Sequence, residues 1–497
     1  MVKLKNKLLL LLLISILFTS TLTASAVAST TTTTVFHVTE SIQKTLNAVS
    51  HTPKHPSQIL TQSTSLVKSS SSFSSSTLSL QLHTRSSIHK PSSHKNYNSL
   101  VLSRLARDSS RVNSLQTRLH LAVNNISKPN LKPLFSEYKS TSDRDLQVPV
   151  VSGTSQGSGE YFSRVGIGHP PSQVYMVIDT GSDVSWLQCA PCADCYQQTD
   201  PIYEPQSSST YSPITCEARD CKSLEVSECR NDTCLYQVSY GDGSYTVGDF
   251  ATETVTLTDS VKVNDIAIGC GHNNEGLFVG AAGLIGLGGG KLSFPSQINA
   301  TSYSYCLVDR DSDATSSLDF NSPIPKGAVT APLLKSDKID TFYYVNLTGI
   351  SVGGDMVNIP EKTFLLSSDG DGGVIVDSGT AVTRFETTAY NALRDAFVSK
   401  TKKLKFVNSV ALFDTCYDFS KMKSVQVPTV SFHFSNGQKL GLPAKNYLIP
   451  IDSNGTFCFA FAATTSSLSI IGNVQQQGIR VTYDFQRSIV GFTSNEC

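Results

Sequence analysis

Two short apolar runs in this chain of 497 residues end in turns of the same type, Asp179-Thr180-Gly181-Ser182 and Asp377-Ser378-Gly379-Thr380, 198 residues apart. Met176, Val177 and Ile178 precede the first aspartate and Val374, Ile375 and Val376 the second, so each acid stands at the polar end of a buried strand. The glycine two residues on permits a tight turn that a Cβ would obstruct. About a hundred residues after each copy comes a second apolar run ending in glycine, Leu284-Ile285-Gly286 and then Ile470-Ile471-Gly472-Asn473. Two such pairs at a long fixed period describe a duplicated lobe.

Two carboxylates forced together cannot both ionise cheaply, so they share a proton and their apparent pKa values separate. Such a pair acts as base and acid at once. The ionised member takes a proton from a water held between them while the protonated member hydrogen-bonds a substrate carbonyl, which is general acid-base peptide hydrolysis.

With these motifs the chain resembles the pepsin-like aspartic proteases from about Glu160 to its end. Trp186, the only tryptophan, lies seven residues after Asp179, where that family places one, and Tyr240-Gly241-Asp242-Gly243-Ser244 resembles its flap hairpin. The resemblance implies a catalytic dyad of Asp179 and Asp377, with the Ser182 and Thr380 hydroxyls hydrogen-bonding the carboxylates. Thr180 and Ser378 would grip each other's strand, with Gly181 and Gly379 forming the turns. Tyr240 would close over substrate with its hydroxyl toward the Trp186 indole nitrogen, since buried Tyr and Trp find polar partners. Gly241, Gly243 and Ser244 would complete the flap. Two core aromatics without that role are the plainer alternative.

All 12 cysteines fall between Cys189 and Cys497, seven of them between Cys189 and Cys234. An even count behind a leader of secretory type argues for disulfides over a metal or iron-sulfur site at Cys189, Cys192 and Cys195. This cysteine-rich insertion resembles the plant nepenthesin-type branch, whose pattern implies the pairs 189–192, 195–270, 216–234, 221–229, 306–497 and 416–458. The stretch between Asp377 and Ile470 is too short for the saposin-like insert of the vacuolar plant enzymes. Residues Gly159 to Gly168 most resemble the guard-cell group of the branch.

Lys3, Lys5 and Lys7, the apolar run Leu8 to Leu17 and the small-residue sites around Ala24 to Ala28 read as a signal peptide over residues 1–28. No later run is long enough for a bilayer span, and no apolar tail or Lys-Asp-Glu-Leu retention signal ends the chain. The expectation is therefore a secretory protein without a membrane anchor, in the apoplast first, with vacuole or endoplasmic reticulum as alternatives. Sequons at Asn125, Asn231, Asn299, Asn346 and Asn454 are candidate glycan sites.

Residues 29–145 differ from the rest. They hold a threonine run, a serine-rich tract around Ser69 to Ser76, seven of the 10 histidines, and 14 Lys and Arg against 5 Asp and Glu. Low complexity argues against a packed core there. Beyond Asp145 the balance reverses to 23 basic against 35 acidic residues, so a formal net charge of +0 hides two opposite halves. A basic segment ahead of an acidic body reads as an electrostatically held, inhibitory prosegment. Between Val101 and Leu119, Val101, Leu105, Val112, Leu115 and Leu119 recur at helical spacing, and Arg104, Arg107, Arg111 and Arg118 form another stripe. This helix is expected to cover the cleft, to weaken on acidification as carboxylates protonate and histidines charge, and to be removed by cleavage between Lys139 and Gly159. A solvated leader with an incidental basic helix is the alternative.

The expected fold is all-β and bilobal with an active-site cleft between lobes, residues 146–330 forming the first lobe and 331–497 the second. Runs such as Val255 to Leu257, Tyr343 to Leu347 and Val425 to Phe434 read as strands, and Thr387 to Lys400 as one of few helices. Peptides would enter as an added strand.

Other motifs carry less. Gly153-Thr154-Ser155-Gln156-Gly157 fits a serine-hydrolase elbow but lacks the strand before and helix after. Asp369 to Gly373 and Asp309, Asp311 and Asp313 lack the glycine and closing glutamate of a calcium loop. Gly286 to Gly290 is no dinucleotide motif. No cofactor, metal or nucleic-acid partner is expected, and a monomer acting on protein or peptide substrates is. The competing function is a binding or inhibitor protein on the same fold, as in xylanase inhibitors lacking a working dyad.

Overall fold

The computed structural model describes residues 32–50, 77–88, 96–126 and 161–497, apart from 241–243, 259–260, 277, 279, 310, 313 and 495–496. The signal-peptide, serine-rich, cleavage-stretch and Gly153–Gly157 readings fall outside these residues, as do Gly241, Gly243 and Asp313.

The chain builds two β lobes. In the first, β3 (Tyr161–Ile167) and β4 (Ser172–Asp179) form an antiparallel pair. The Gly283–Gly286 strand then runs parallel to β4, with Gly286 beside Asp179. In the second lobe Val374–Val376 runs parallel to Ser469–Ile471, with Val376 beside Ile471. Each apolar echo in the sequence is thus the parallel neighbour of its aspartate strand. Both central strands are buried on either face, which is why they read as unbroken apolar runs.

A shared sheet joins the lobes. Its order is Ser316–Phe320, Ser302–Cys306, Ile479–Asp484, Ile489–Ser494 and Val329–Leu334, each antiparallel to the next. An aromatic layer of Tyr303, Tyr343 and Tyr483 lies on it, Tyr303 stacking on Tyr483 at 4.9 Å between ring centres. Fully buried rings of this size anchor cores, at about 1.5–3 kcal/mol for each large apolar side chain.

The helix over Thr387–Lys400 forms as expected, burying Tyr390, Leu393 and Phe397. The run Val425 to Phe434 divides into Ser424–Pro428 and Val430–Phe434.

The N-terminal segment departs from expectation, because its described parts pack. Strand β1 (Thr33–His37) pairs with Ser424–Pro428 of the second lobe and leads into helix α1 (Val38–Ser50). Strand β2 (Leu78–Thr84) enters the shared sheet between Ser316–Phe320 and β3, with Leu80 opposite Leu318 and Leu82 opposite Ser163. Low complexity hid a period-two strand, since Leu80 and Leu82 are buried while Ser79 and Gln81 beside them are exposed. Helix α2 (Tyr97–Val123) begins at a capping box, where Asn96 Oδ1 accepts the Ser99 N–H at 2.9 Å and the Ser99 hydroxyl accepts from the Asn96 N–H.

Six disulfides form, and four differ in partner from the branch pattern. Cys306–Cys497 and Cys416–Cys458 pair as implied, the latter across directly opposed strand positions. Cys189 pairs with Cys270 and Cys192 with Cys195, in place of 189–192 and 195–270. Cys189 follows directly on the Trp186–Gln188 strand, which runs parallel beside Cys270, and the 5.3 Å between their Cα atoms suits a disulfide. Cys216 pairs with Cys229 and Cys221 with Cys234, in place of 216–234 and 221–229. In the hairpin of Ser227–Arg230 and Thr233–Ser239, Cys229 and Cys234 stand directly opposite one another, and each takes a partner outside the hairpin: exposed Cys229 takes half-buried Cys216, and buried Cys234 takes buried Cys221.

Candidate active site

Asp179 ends β4 and Asp377 follows the Val374–Val376 strand, so parallel neighbours hold both at the lobe junction. The Leu287 N–H donates to the Asp179 carbonyl at 2.8 Å, and the Asp377 N–H to the Ile471 carbonyl at 3.1 Å. Each turn then folds back on its own carboxylate. Gly181 N–H and Ser182 Oγ donate to Asp179 at 3.1 and 2.5 Å, and Gly379 N–H and Thr380 Oγ1 donate to Asp377 at 3.3 and 2.6 Å. A Cβ on Gly379 would stand 2.8 Å from Asp179 Oδ1, so glycine here permits the close approach of the two turns.

The mutual grip is one-sided. Thr180 Oγ1 accepts the Ser378 N–H at 2.9 Å and donates to Asp377 Oδ1 at 3.1 Å. The Ser378 hydroxyl is buried without a hydrogen bond, correcting the reciprocal expectation. Threonine is branched at Cβ and holds one side-chain orientation, whereas serine lacks the methyl that would fix its own. Polar groups beneath complete the support: Asn473 Nδ2 donates to the Ser378 carbonyl at 2.9 Å and Gln476 Nε2 to the Asp377 carbonyl at 3.2 Å.

Trp186 Nε1 donates to the Tyr240 hydroxyl at 3.0 Å. Phe278, unsuspected from sequence because it sits in an ordinary glycine-flanked loop, packs edge-on to both rings at 5.0 Å. Burial raises the Tyr240 phenol above its usual range, so it stays a neutral hydrogen-bonding group. Ser244 is buried beside it, its carbonyl accepting the Tyr240 N–H at 2.8 Å.

Helix α2 lies across this site. Its predicted stripe, Val101, Leu105, Val112, Leu115 and Leu119, is buried, and so are Arg104 and Arg107 of the second stripe. Arg111 enters between the aspartates: Nη1 donates to Asp179 Oδ2 at 2.9 Å, and Nη2 donates to Asp179 Oδ1 and, at 3.2 Å, to Asp377 Oδ1. Nε donates to Asp377 Oδ2 at 3.3 Å. Flanking pairs fix the helix, Arg104 to Asp311 at 2.7 Å and Arg118 to Glu225 at 2.6 Å and Asp183 at 3.6 Å. Asp108 reaches the other way, to Arg384 and the N–H groups of Ala381 and Val382. Sequence periodicity located the helix but not which arginine would fall between the acids.

The charges follow from this packing. Burial alone would raise the Asp377 carboxyl, but the Arg111 charge and hydrogen bonds from Thr380, Arg111 and Gly379 N–H hold it below the ordinary carboxylate value. Burial would likewise lower Arg111, and the two carboxylates outweigh it and raise it. Burial raises Asp183 despite the Arg118 charge. Beside the helix the cleft keeps a cavity of about 570 Å³, lined in part by Tyr240, Glu225, Lys291 and Ile339.

Two lobes, each presenting an Asp-Thr/Ser-Gly turn to a common cleft, define an aspartic-type endopeptidase. Comparison with known proteins agrees. The family described as Xylanase inhibitor N-terminal matches residues 161–321, and Xylanase inhibitor C-terminal matches 342–494. The chain is 53% identical over 415 residues to Aspartyl protease family protein 2 of Arabidopsis thaliana, covering 82% of this chain and 83% of that one. It is 47% identical to Protein ASPARTIC PROTEASE IN GUARD CELL 2 of Arabidopsis thaliana, covering 81% and 84%. It is 41% identical to Aspartic proteinase nepenthesin-1 of Nepenthes gracilis, covering 70% and 80%. The crystal structure of conglutin gamma from lupine seeds shares the fold, with a TM-score of 0.56 at 21% identity over 68% of this chain and 92% of that one. The chain belongs to the plant pepsin-like aspartic proteases of the nepenthesin-type branch.

Proposed function

We propose that the protein is a secreted endopeptidase made as a zymogen, in which Asp179 and Asp377 activate a water for peptide hydrolysis at acid pH and α2 holds the cleft shut beforehand. The observation that carries this reading is Arg111 bridging both carboxylates. A guanidinium donates hydrogen bonds only, so in that position it fills the space a nucleophilic water needs and offers no nucleophile itself. It also favours two ionised carboxylates, whereas the reaction needs a dyad with one proton. Residues 29–145 are then the prosegment, cleaved between Lys139 and Gly159.

His83 of β2 supports an acid trigger. Burial first, and then the Arg164 charge, push its imidazole down to about 4. Below an ordinary value of 6.5 the free segment binds a proton that the docked one refuses, so docking weakens as pH falls from 6.5 to about 4. Exposed Asn125, Asn231, Asn299 and Asn454, and half-buried Asn346, are compatible with glycans in a secretory route to the apoplast. A catalytically silent binding protein fits less well, since both aspartates keep their hydroxyl partners.

The test is cleavage of an unfolded protein substrate from pH 2 to 8 by the unprocessed chain, the acid-treated chain and Asp377→Asn, with and without a statine-type inhibitor. Acid-limited cleavage that follows processing, vanishes in the variant and is blocked by inhibitor is expected. An unprocessed chain equally active at neutral pH would sink the zymogen reading, and an inert processed chain the catalytic one.

A further inference from the structure

The contact made by Asp108 runs against the charge pattern of α2, where it is the only acid among four arginines. Its Oδ1 accepts the Ala381 N–H at 2.5 Å and the Val382 N–H at 3.3 Å, and its Oδ2 accepts from Arg384 Nη2 at 2.6 Å. The Arg384 side chain is 5% exposed and that of Asp108 1%, so this is a desolvated, three-donor cradle for one carboxylate. The other guanidinium arm donates to the Val382 carbonyl at 2.9 Å, which fixes its direction. The cradle belongs to the second lobe, four to seven residues after Asp377. Asp108 precedes Arg111 by three residues, so the cradle lies roughly 4.5 Å along the helix axis from the two aspartates.

Once α2 leaves, Ala381 N–H, Val382 N–H and one face of the Arg384 guanidinium lose their acceptor inside the cleft. A buried arginine without a counter-charge is costly, and the fork of donors matches a carboxylate. We infer that Arg384 and these two N–H groups form a carboxylate-binding subsite, filled by Asp108 in the closed chain and by an acidic side chain of the peptide substrate in the open one. This rests on the proposal that α2 vacates the cleft. The two N–H groups alone would serve any extended peptide; the guanidinium makes the subsite selective for a negative group.

The experiment uses acid-treated, processed protein and a panel of non-cleavable statine-type peptides in which each position in turn carries Glu or Gln. Affinities are measured by calorimetry at pH 5, above the ordinary glutamate pKa of about 4.3. One position should favour Glu over Gln by about tenfold or more, as charge-assisted hydrogen bonds do. Arg384→Gln should erase that ratio and Arg384→Lys restore part of it, and correct folding is read from the Gln peptides still binding. Equal affinity for Glu and Gln at every position would overturn the subsite. Binding of neither peptide series would overturn the vacated cleft, and the subsite with it.

Discussion

Replacing Arg111 by methionine keeps the stem of the side chain and removes its charge. The guanidinium spans two carboxylates whose side chains are 2% and 1% exposed, and its own is 9% exposed. Removing one partner of such a buried pair typically costs about 3–5 kcal/mol, because the remaining charges stay desolvated. The two aspartates can relieve part of that by sharing a proton, which favours the lower figure. At about 1.4 kcal/mol per tenfold, the closed-to-open ratio of the helix should fall roughly a hundredfold or more. A cleft-directed statine-type inhibitor binds only the open form, so its apparent affinity for the unprocessed chain should rise by the same factor, whatever the absolute ratio. The gain should also depend on pH. Docking holds the Asp377 carboxyl below its ordinary 3.8, so the Arg111 contribution is complete above that value and is lost as pH falls through the lower docked one. Wild type should therefore gain affinity as pH drops below about 4, and Arg111→Met should change less. The assay is fluorescence titration of mass-verified unprocessed protein at pH 6 and pH 3. An affinity at pH 6 within about threefold of wild type would refute the argument that Arg111 carries the closure.

The one-sided grip predicts that Ser378→Ala, which removes a hydroxyl without a partner, leaves thermal stability nearly unchanged, whereas Thr180→Val, which loses two bonds, costs about 1–3 kcal/mol by calorimetric unfolding. Tyr240→Phe breaks the bond from Trp186 and should raise KM about fivefold with little change in kcat, read with a peptide reporter on processed protein. His83→Phe keeps a ring against Tyr175 and removes the titration, so hydrogen-exchange protection of β2, taken relative to the intrinsic amide rate at each pH, should no longer fall between pH 6.5 and 4, where in wild type roughly 3 kcal/mol of docking is lost.

The parts of the fold legible in the sequence are those whose constraints are local. An apolar triplet, an aspartate and a glycine turn specify their own strand and turn, and the echo runs from Leu284 and Ile470 supply the parallel neighbours. Trp186 and Tyr240 were legible from their spacing and hairpin signal. Residues whose roles depend on distant packing were not. Phe278 completes the Tyr240 cluster from a loop with no periodicity, and Gln476 supports Asp377 from a short helix. Strand β2 escaped because two polar neighbours, Ser79 and Gln81, diluted Leu80 and Leu82 within a segment of biased composition. Four of the cysteine pairs escaped because a spacing pattern does not state which neighbours the fold brings together: Cys229 and Cys234 stand opposite each other on one hairpin, yet one meets Cys216 and the other Cys221.

Net charge is a coarser guide than it first looks. A basic segment and an acidic body attract, yet the contacts holding α2 are a few specific pairs: Arg104 to Asp311 and Arg111 to the aspartates, which are desolvated, and Arg118 to Asp183 and the more exposed Glu225. Salt screens diffuse attraction between surfaces within about 10 Å at moderate ionic strength, but it barely reaches pairs buried like those of Arg104 and Arg111. Asp108 shows the limit most clearly. By global charge it is the residue of α2 least suited to an acidic partner, and by local geometry it has three donors within hydrogen-bonding distance. The local cradle outweighs the long-range repulsion because burial strengthens nearby charge far more than distant charge. The helix therefore reads the cleft residue by residue, acid to base and base to acid, which is how a substrate would have to read it.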